Sequence, residues 1–150
     1  MLVYSIAKPV SNQKFTDFYI LGINGKADDY PSEFGMVNDI VTYVKYGNEG
    51  PEVVSGWGDV VIGIGNHENQ TSVYSVKVTI DGELVNFDSY GGLSSLLGPI
   101  ELGDAKGWEQ KIGIAPQHIG NGQKVEFMLY KDGNSDPYRV LDLWIDVKQV

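Results

Sequence analysis

Cysteine is missing from the sequence, and histidine is scarce. Without cysteine the chain forms neither a disulfide bridge nor a thiolate nucleophile, so its stability must come from the hydrophobic core. The two histidines, His67 and His118, fall in separate predicted turns, and no His/Glu spacing on one strand face matches a zinc site. We therefore expect neither a bound metal nor a cofactor.

Basic residues are also few. The chain has 11 Lys and Arg against 20 Asp and Glu, a formal net charge of -9, which repels phosphate backbones at long range. The basic residues are scattered and form no stripe interleaved with aromatic residues. We therefore do not expect nucleic acid as a partner.

Long hydrophobic runs are absent as well. No apolar run approaches the roughly 18 residues of a membrane helix, and the opening MLVYSIAKPVSNQ lacks the regions of a signal peptide. We expect this segment to be soluble and not to span a membrane. Because residues 2–7 already have the pattern of a strand, we interpret Met1 as the start of an excised fragment.

The clearest feature that is present is an alternating stretch over residues 59–85. Apolar Val60, Ile62 and Ile64 alternate with smaller residues, and a second alternating run covers residues 73–80. We predict a β-hairpin whose strands meet at a polar turn. Asp81-Gly82 then predicts a type I′ turn, after which residues 84–90 return antiparallel.

The rest of the chain predicts further short strands. They cover residues 2–7, 14–21, 108–114, 124–130 and 138–148, and residues 31–56 favour strand over helix. In residues 91–103, Leu93, Leu96 and Leu97 have the spacing of one helical turn. Seven to nine strands at this spacing indicate an all-β, antiparallel sandwich. A chain of 150 residues removes about 70% of its unfolded surface from water, which suits a single domain over residues 1–150.

The last strand carries the most interesting aromatic residue. Leu141, Leu143, Ile145 and Val147 share one face, and Asp142, Trp144 and Asp146 share the other. An aromatic plane flanked by hydrogen-bonding groups is typical of a carbohydrate platform. The alternative is that Trp144 packs against loops or a neighbouring domain. Trp57 and Trp108 lie at strand starts and are interpreted as core lids.

Several carboxylates are candidates for metal ligands or catalytic groups. Asp132 and Asp136 alternate as calcium ligands do, but the full loop and a bidentate Glu are lacking, so a polar hairpin turn is the simpler interpretation. Carboxylate pairs, including Asp142 with Asp146 and Asp28 with Asp29, would suit a glycoside hydrolase only with a pocket and a defined separation. We interpret them as solubilising charge and predict no catalytic residue.

The polar turn at residues 66–71 contains the sequon Asn69-Gln70-Thr71, a candidate glycosylation site on an exposed turn. His67 and Glu68 in the same turn are interpreted as structural, with neighbouring polar side chains bonding the local backbone.

Five blocks of sequence together resemble one family. They are KFTDFYILGINGKADDYP at residues 14–31, IGIGNHEN at 62–69, GPIELGDAKGWEQ at 98–110, KVEFMLYKD at 124–132 and YRVLDLWIDV at 138–147. In this order they resemble a largely archaeal membrane-protein family, domain of unknown function 1616. The stretch between Tyr30 and Asp59 is longer than the corresponding link in that family.

The resemblance implies an immunoglobulin-like domain at the cell surface, tethered to a membrane by helices nearer the N-terminus, and supplies no site residues. We predict a non-catalytic structural or recognition domain with an unknown protein or glycan partner. Alternatives are a carbohydrate-binding module using Trp144, Asp142 and Asp146, and a carboxylate-based glycoside hydrolase. An exposed sheet edge would also allow strand pairing into a homodimer.

Overall fold

A computed structural model describes residues 2–6, 13–22, 25–27, 30–37, 40–47, 50–55 and 57–149. These residues form strands without any helix, as their alternating patterns predict. The strands are β1 (Leu2–Ser5), β2 (Phe15–Leu21), β3 (Glu33–Val37), β4 (Ile40–Gly47), β5 (Gly50–Ser55), β6 (Gly58–His67), β7 (Ser72–Ile80), β8 (Glu83–Leu84), β9 (Phe87–Asp88), β10 (Leu93–Ser94), β11 (Leu97–Leu102), β12 (Lys106–Ile114), β13 (Gly120–Lys131) and β14 (Arg139–Gln149).

The strands form two sheets. The six-stranded sheet has the order β10-β9-β12-β6-β2, with β1 also paired to β12. The eight-stranded sheet has the order β11-β7-β13-β14-β3-β4-β5, with β8 paired to β7. All pairs are antiparallel except β14 with β3, which run parallel from Asp146 opposite Glu33 to Gln149 opposite Met36.

One buried cluster joins the facing sides of the two sheets. The six-stranded sheet contributes side chains such as Ile62, Trp108 and Ile112, and the eight-stranded sheet contributes Val76 and Phe127, all without solvent exposure. Alternate residues of β6, β7 and β13 enter this cluster, so the residues between them face outward. The all-β, sandwich-like prediction is confirmed, with more strands than the seven to nine expected.

The predicted hairpin over residues 59–85 is wrong in its pairing. β6 lies in the six-stranded sheet between β2 and β12, whereas β7 lies in the eight-stranded sheet between β11 and β13. Residues 68–71 therefore carry the chain from one sheet to the other. A period of two is the same for a strand that pairs with its neighbour and for one that crosses the core, so alternation alone did not separate the cases.

The shorter turns follow the sequence more closely. Asp81 and Gly82 both have positive φ, 51° and 81°, and the pairing of Ile80 with Glu83 confirms the predicted tight turn. The returning strand stops at Leu84, and β9 joins the other sheet. Strand over helix is confirmed for residues 33–37, 40–47 and 50–55.

The helical turn predicted from Leu93, Leu96 and Leu97 is wrong. Leu93 and Leu96 are exposed, and only Leu97 is buried. Leu97 instead begins β11, in which Ile100 and Leu102 also enter the core. The described part of the chain contains no helix that is long and apolar enough to cross a membrane.

Candidate functional site

Trp144 lies on the outer face of the eight-stranded sheet, as the alternation of β14 predicts. It stands directly opposite Lys124 of β13, whose Nζ is 5.9 Å from the centre of the indole ring. The side chain is 57% exposed, although β14 pairs with β13 both before and after it along the strand. A large exposed ring therefore lies on a hydrogen-bonded strand pair.

Asp142 and Asp146 share this face with Trp144 but are held separately. The Asp142 carboxylate lies 3.9 Å from Lys124 Nζ. Asp146 Oδ1 accepts a hydrogen bond of 2.8 Å from the Gly122 backbone N–H. Residues four apart in a strand have Cα atoms about 13 Å apart. The two carboxylates therefore flank Trp144 from opposite sides.

The other two tryptophans are not available in the same way. Trp108 is fully buried in the core, which confirms its interpretation as a core residue, and Trp57 is half-buried.

Asn69 of the sequon is exposed, and its backbone N–H donates to Asp104 Oδ1 at 3.0 Å. The Asn69 side chain is thus presented at the end of the sandwich where the chain crosses between sheets.

The Asp132 turn is stabilised by its own protein contacts. Asp132 has a φ of 53°, and its Oδ1 accepts a hydrogen bond of 2.9 Å from the Val73 N–H. Its Oδ2 lies 3.5 Å from Lys131 Nζ. Among the residues that the structure describes, no three His, Asp or Glu side chains are grouped to hold a metal ion. Asp28 and Asp29 lie outside the described residues.

A buried polar cluster, which the sequence did not predict, surrounds Glu68. This residue is only 7% exposed. Its Oε2 accepts hydrogen bonds from the Thr16 hydroxyl at 2.7 Å and the Tyr138 hydroxyl at 2.9 Å, and its Oε1 lies 4.0 Å from Lys131 Nζ. The carboxylate therefore links β2 of one sheet to the β13–β14 end of the other.

Asn66 anchors the crossing beside Glu68. Its Oδ1 accepts from the Glu68 N–H at 2.8 Å, which is the local backbone bonding that the sequence predicted. Its amide donates to the carbonyls of Gln70 and Leu102 at 2.9 Å and 2.8 Å. An exposed turn was expected at this point, yet Asn66, His67 and Glu68 are all buried. The reason is that the turn spans the core instead of joining two paired strands.

Two tyrosines near Glu68 have raised pKa values. Burial and the hydrogen bond to Glu68 raise the pKa of Tyr138. The Tyr138 ring also lies below two cationic groups, Lys131 Nζ at 5.2 Å and the Arg139 guanidinium at 4.3 Å. Burial likewise raises the pKa of Tyr74, whose hydroxyl is 2.8 Å from Thr16 Oγ1.

The outer face of the six-stranded sheet carries a second unpredicted group, the tyrosine bridge formed by Tyr4 and Tyr19. Their hydroxyl oxygens are 2.8 Å apart, although β12 and β6 separate β1 from β2. The Tyr19 ring lies over Gly63, where a Cβ would approach two ring carbons to 2.1 Å, and Tyr4 lies over Gly107, where a Cβ would approach to 2.7 Å. Only glycine leaves room for rings in these positions.

Acidic and aromatic side chains continue this face along β2. Phe15 stacks on His67 with ring centres 4.5 Å apart, and Asp17 Oδ2 lies 3.3 Å from His67 Nε2. Burial, then the contact with Tyr4 and the nearby Glu109 carboxylate, raise the pKa of Tyr19. Glu109 therefore lies beside the tyrosine bridge.

A groove of about 190 Å³ opens at the end of the sandwich where β7 turns into β8. Ile80, Val85 and Ile119 are among its lining residues. The exposed side chains of His118 and Glu83 approach each other to 3.7 Å beside it. None of the predicted site residues Asp142, Trp144, Asp146 or Asn69 lines this groove.

Comparison with known proteins gives one family. The family model described as Domain of unknown function (DUF1616) matches residues 9–146, which is most of the chain. No curated protein matches the sequence.

Proposed function

We propose, from the premise that the chain belongs to the DUF1616 family, that it is a non-catalytic recognition domain whose protein partner docks on the outer face of the eight-stranded sheet. The observation that carries this proposal is the 57% exposure of Trp144 on a regularly paired strand. Tryptophan is enriched among the few residues that dominate protein–protein binding.

The acidic side chains around Trp144 indicate that the partner carries a basic group. Glu126 and Asp142 are direct cross-strand neighbours in the β13–β14 pair. Like charges in this arrangement repel each other at some electrostatic cost, and Lys124, 3.9 Å from the Asp142 carboxylate, leaves one excess negative charge among the three side chains. A partner with a basic side chain beside an apolar pocket for the Trp144 ring would relieve that cost. Lys124, which faces Trp144, would form part of the polar rim.

Binding is favoured over hydrolysis by the placement of the carboxylates. The Cα atoms of Asp142 and Asp146 are about 13 Å apart along one strand. The two carboxyl groups of a glycosidase lie about 5 to 9.5 Å apart and face each other across a substrate. Here Asp146 accepts a backbone hydrogen bond and Asp142 lies beside Lys124.

The domain is proposed to be immunoglobulin-like and to act outside the membrane, tethered through preceding helices. The resemblance of its sequence blocks and the exposed sequon at Asn69 support this location. Translation of the coding sequence upstream of residue 1 tests it. Hydrophobic spans there would support a tethered domain, and a native start at Met1 would contradict it.

Homodimerisation through sheet edges is the alternative mode of association. The outer strands of the eight-stranded sheet are β5 and β11, and each contains a proline, Pro51 and Pro99. Proline has no N–H to donate and is one of the devices that discourage strand addition. Edge pairing at β5 or β11 is therefore less favoured than docking on the face around Trp144. Sedimentation equilibrium distinguishes monomer from dimer.

Position-specific photo-crosslinking tests the docking face. A photoreactive amino acid replaces exposed Val140, on the same face of β14 as Trp144, in one variant and exposed Lys111 of β12, in the other sheet, in a control, and each is incubated with cell-envelope extract. We expect a discrete adduct at position 140 that is absent at position 111 and is lost when Trp144→Ala is added. Identical adduct patterns at both positions would contradict the proposal.

Carbohydrate binding by the same face is the second candidate. The observation in its favour is the exposed Trp144 ring between Asp142 and Asp146, with a lysine against it. Retardation of the protein by polysaccharide in native gels, abolished by Trp144→Ala, would support it. The hydrolase alternative requires activity on chromogenic glycosides that Asp142→Asn or Asp146→Asn removes.

A further inference from the structure

The tyrosine bridge covers the middle of the six-stranded sheet, on the side of the molecule opposite Trp144. Sheet order places β1 and β2 three strand spacings apart, about 14 Å. Two tyrosine side chains whose hydroxyls meet across this gap at 2.8 Å must run along the sheet surface. Their accessible surface is therefore on the side away from the sheet, and both residues remain half-buried.

Carboxylates lie between the rings, Asp17 beside His67 Nε2 at 3.3 Å and Glu109 beside Tyr19. Phe15, Asp17 and Tyr19 point outward from β2 in alternating order, about 7 Å apart, so that a carboxylate separates two rings. On β12, Glu109 points outward beside the tyrosine hydroxyls, and its carboxylate contributes to the raised pKa of Tyr19. Asp17 is 55% exposed in this row.

We propose that this face, formed by Phe15, Asp17, Tyr19, Tyr4 and Glu109, is a binding platform for a neutral hexopyranose chain. The C–H face of a pyranose ring packs on an aromatic surface, and its hydroxyls donate hydrogen bonds to carboxylates and phenol oxygens. Alternating rings and acceptors along a flat surface offer both contacts to an extended glycan. The site is separate from the Trp144 face and does not depend on the function proposed for it.

The charge of the face selects the class of ligand. Asp17 and Glu109 are two of the 20 acidic residues that give the chain its formal net charge of -9. Anionic lipids, nucleic acids and acidic polysaccharides would be repelled. A neutral glycan avoids that repulsion and needs the acceptors that the face provides.

Affinity electrophoresis in gels containing soluble glucan, mannan or galactan tests the platform. We expect at least one neutral polymer to retard the protein and Tyr19→Ala to weaken the association about tenfold. Tyr19→Phe, which keeps the ring, should retain most of the retardation. Gels with polygalacturonate should show none.

Glu109→Gln provides a second variant, which keeps the size of the side chain beside Tyr19, with exposed Glu101→Gln in β11 as its matched control. We expect Glu109→Gln to weaken retardation at least about threefold, with the control unchanged. No retardation by any neutral polymer, or equal retardation of Glu109→Gln and Glu101→Gln, would overturn the inference. So would loss of retardation in Trp144→Ala with Tyr19→Ala unaffected, which would place sugar binding on the other sheet.

Discussion

The hydroxyl oxygens of Tyr4 and Tyr19 lie 2.8 Å apart, although their strands are separated by two others. The bridge joins β1, which among the described residues pairs with β12, to β2 at the opposite edge of the sheet. It therefore spans four strands with one hydrogen bond. The two rings can take these positions because Gly63 lies beneath Tyr19 and Gly107 beneath Tyr4.

Removing either hydroxyl should break the same hydrogen bond. We expect Tyr4→Phe and Tyr19→Phe each to lower the free energy of unfolding by about 1 kcal/mol. The double variant should lose little more than one single variant, because the partners share the interaction. Urea unfolding of the four proteins measures the coupling. Tyr130→Phe, whose hydroxyl contacts only Met128 Sδ at 3.8 Å in the described contacts, should cost less, and strict additivity would contradict the bridge.

Gly63→Ala should displace the Tyr19 ring. A Cβ at position 63 would approach the Cε2 and Cζ atoms of Tyr19 to 2.1 Å, so the ring must move. We expect a loss of about 1 to 3 kcal/mol in unfolding free energy. Gly91→Ala is the control, since its Cβ would meet nothing closer than Ser89 Oγ at 4.0 Å. In a Tyr19→Ala background, Gly63→Ala should cost much less, and an unchanged cost would show that Tyr19 is not the obstacle.

The alternation of apolar and polar residues predicts which face of a strand is buried, but it does not predict which strands pair. The buried and exposed faces of β14 were predictable residue by residue, because a strand with one dry face must alternate. The tight turn at Asp81-Gly82 was predictable because both positions need positive φ. The pairing of β6 was not predictable, since the choice between a hairpin and a crossing depends on β2 and β12, which are distant in sequence.

The sites show the same limit. Trp144, Asp142 and Asp146 were placed together correctly because they lie on one strand. The Glu68 cluster and the tyrosine bridge join residues that are 52 and 15 positions apart, and no local pattern reports such contacts. One signal was present for the bridge. Gly63 and Gly65 interrupt the β-branched run of β6, and glycine inside a strand often marks a close approach of another group.

Glu68 should be important for stability, in contrast to a turn carboxylate. Glu68→Ala leaves the hydroxyls of Thr16 and Tyr138 without their acceptor in a buried site. We expect a loss of about 3 kcal/mol, and about 1 kcal/mol for Glu68→Gln, which keeps an acceptor oxygen. Exposed Glu101→Ala should change the free energy of unfolding by less than about 0.5 kcal/mol. Thermal and urea unfolding give the values, and a neutral Glu68→Ala would contradict the buried assignment.

Stability should fall in alkaline solution because several tyrosines resist ionisation in the folded protein. Burial is the main cause that raises the pKa of Tyr19, Tyr74, Tyr90 and Tyr138 above the ordinary value of 10.0. Above pH 10 the unfolded chain loses these protons while the folded chain keeps them, so rising pH favours unfolding. Below pH 10 the contribution is fully present.

Urea unfolding between about pH 9 and about pH 11.5 measures this dependence, together with the absorbance of tyrosinate. The free energy of unfolding should decline with pH once pH 10 is passed, and part of the tyrosinate signal should appear only with unfolding. Tyr19→Phe should make the decline shallower. A free energy that is independent of pH across this range would contradict the raised values.

Trp108 and Trp144 should differ in what they contribute. Trp108 is fully buried between the sheets, and Trp144 is 57% exposed on the outer face. We expect Trp108→Ala to cost about 3 to 5 kcal/mol through the cavity that it leaves, and Trp144→Ala to cost less than about 1 kcal/mol. Trp108 Nε1 has no hydrogen-bond partner among the described residues, so Trp108→Phe loses volume but no hydrogen bond and should cost clearly less than Trp108→Ala. Urea unfolding measures the stability of all three variants. Iodide quenching of fluorescence checks the two environments in the native protein, because iodide should reach Trp144 and not Trp108. If Trp144→Ala proved as costly as Trp108→Ala, Trp144 would be serving the fold, and the docking face proposed around it would lose its main support.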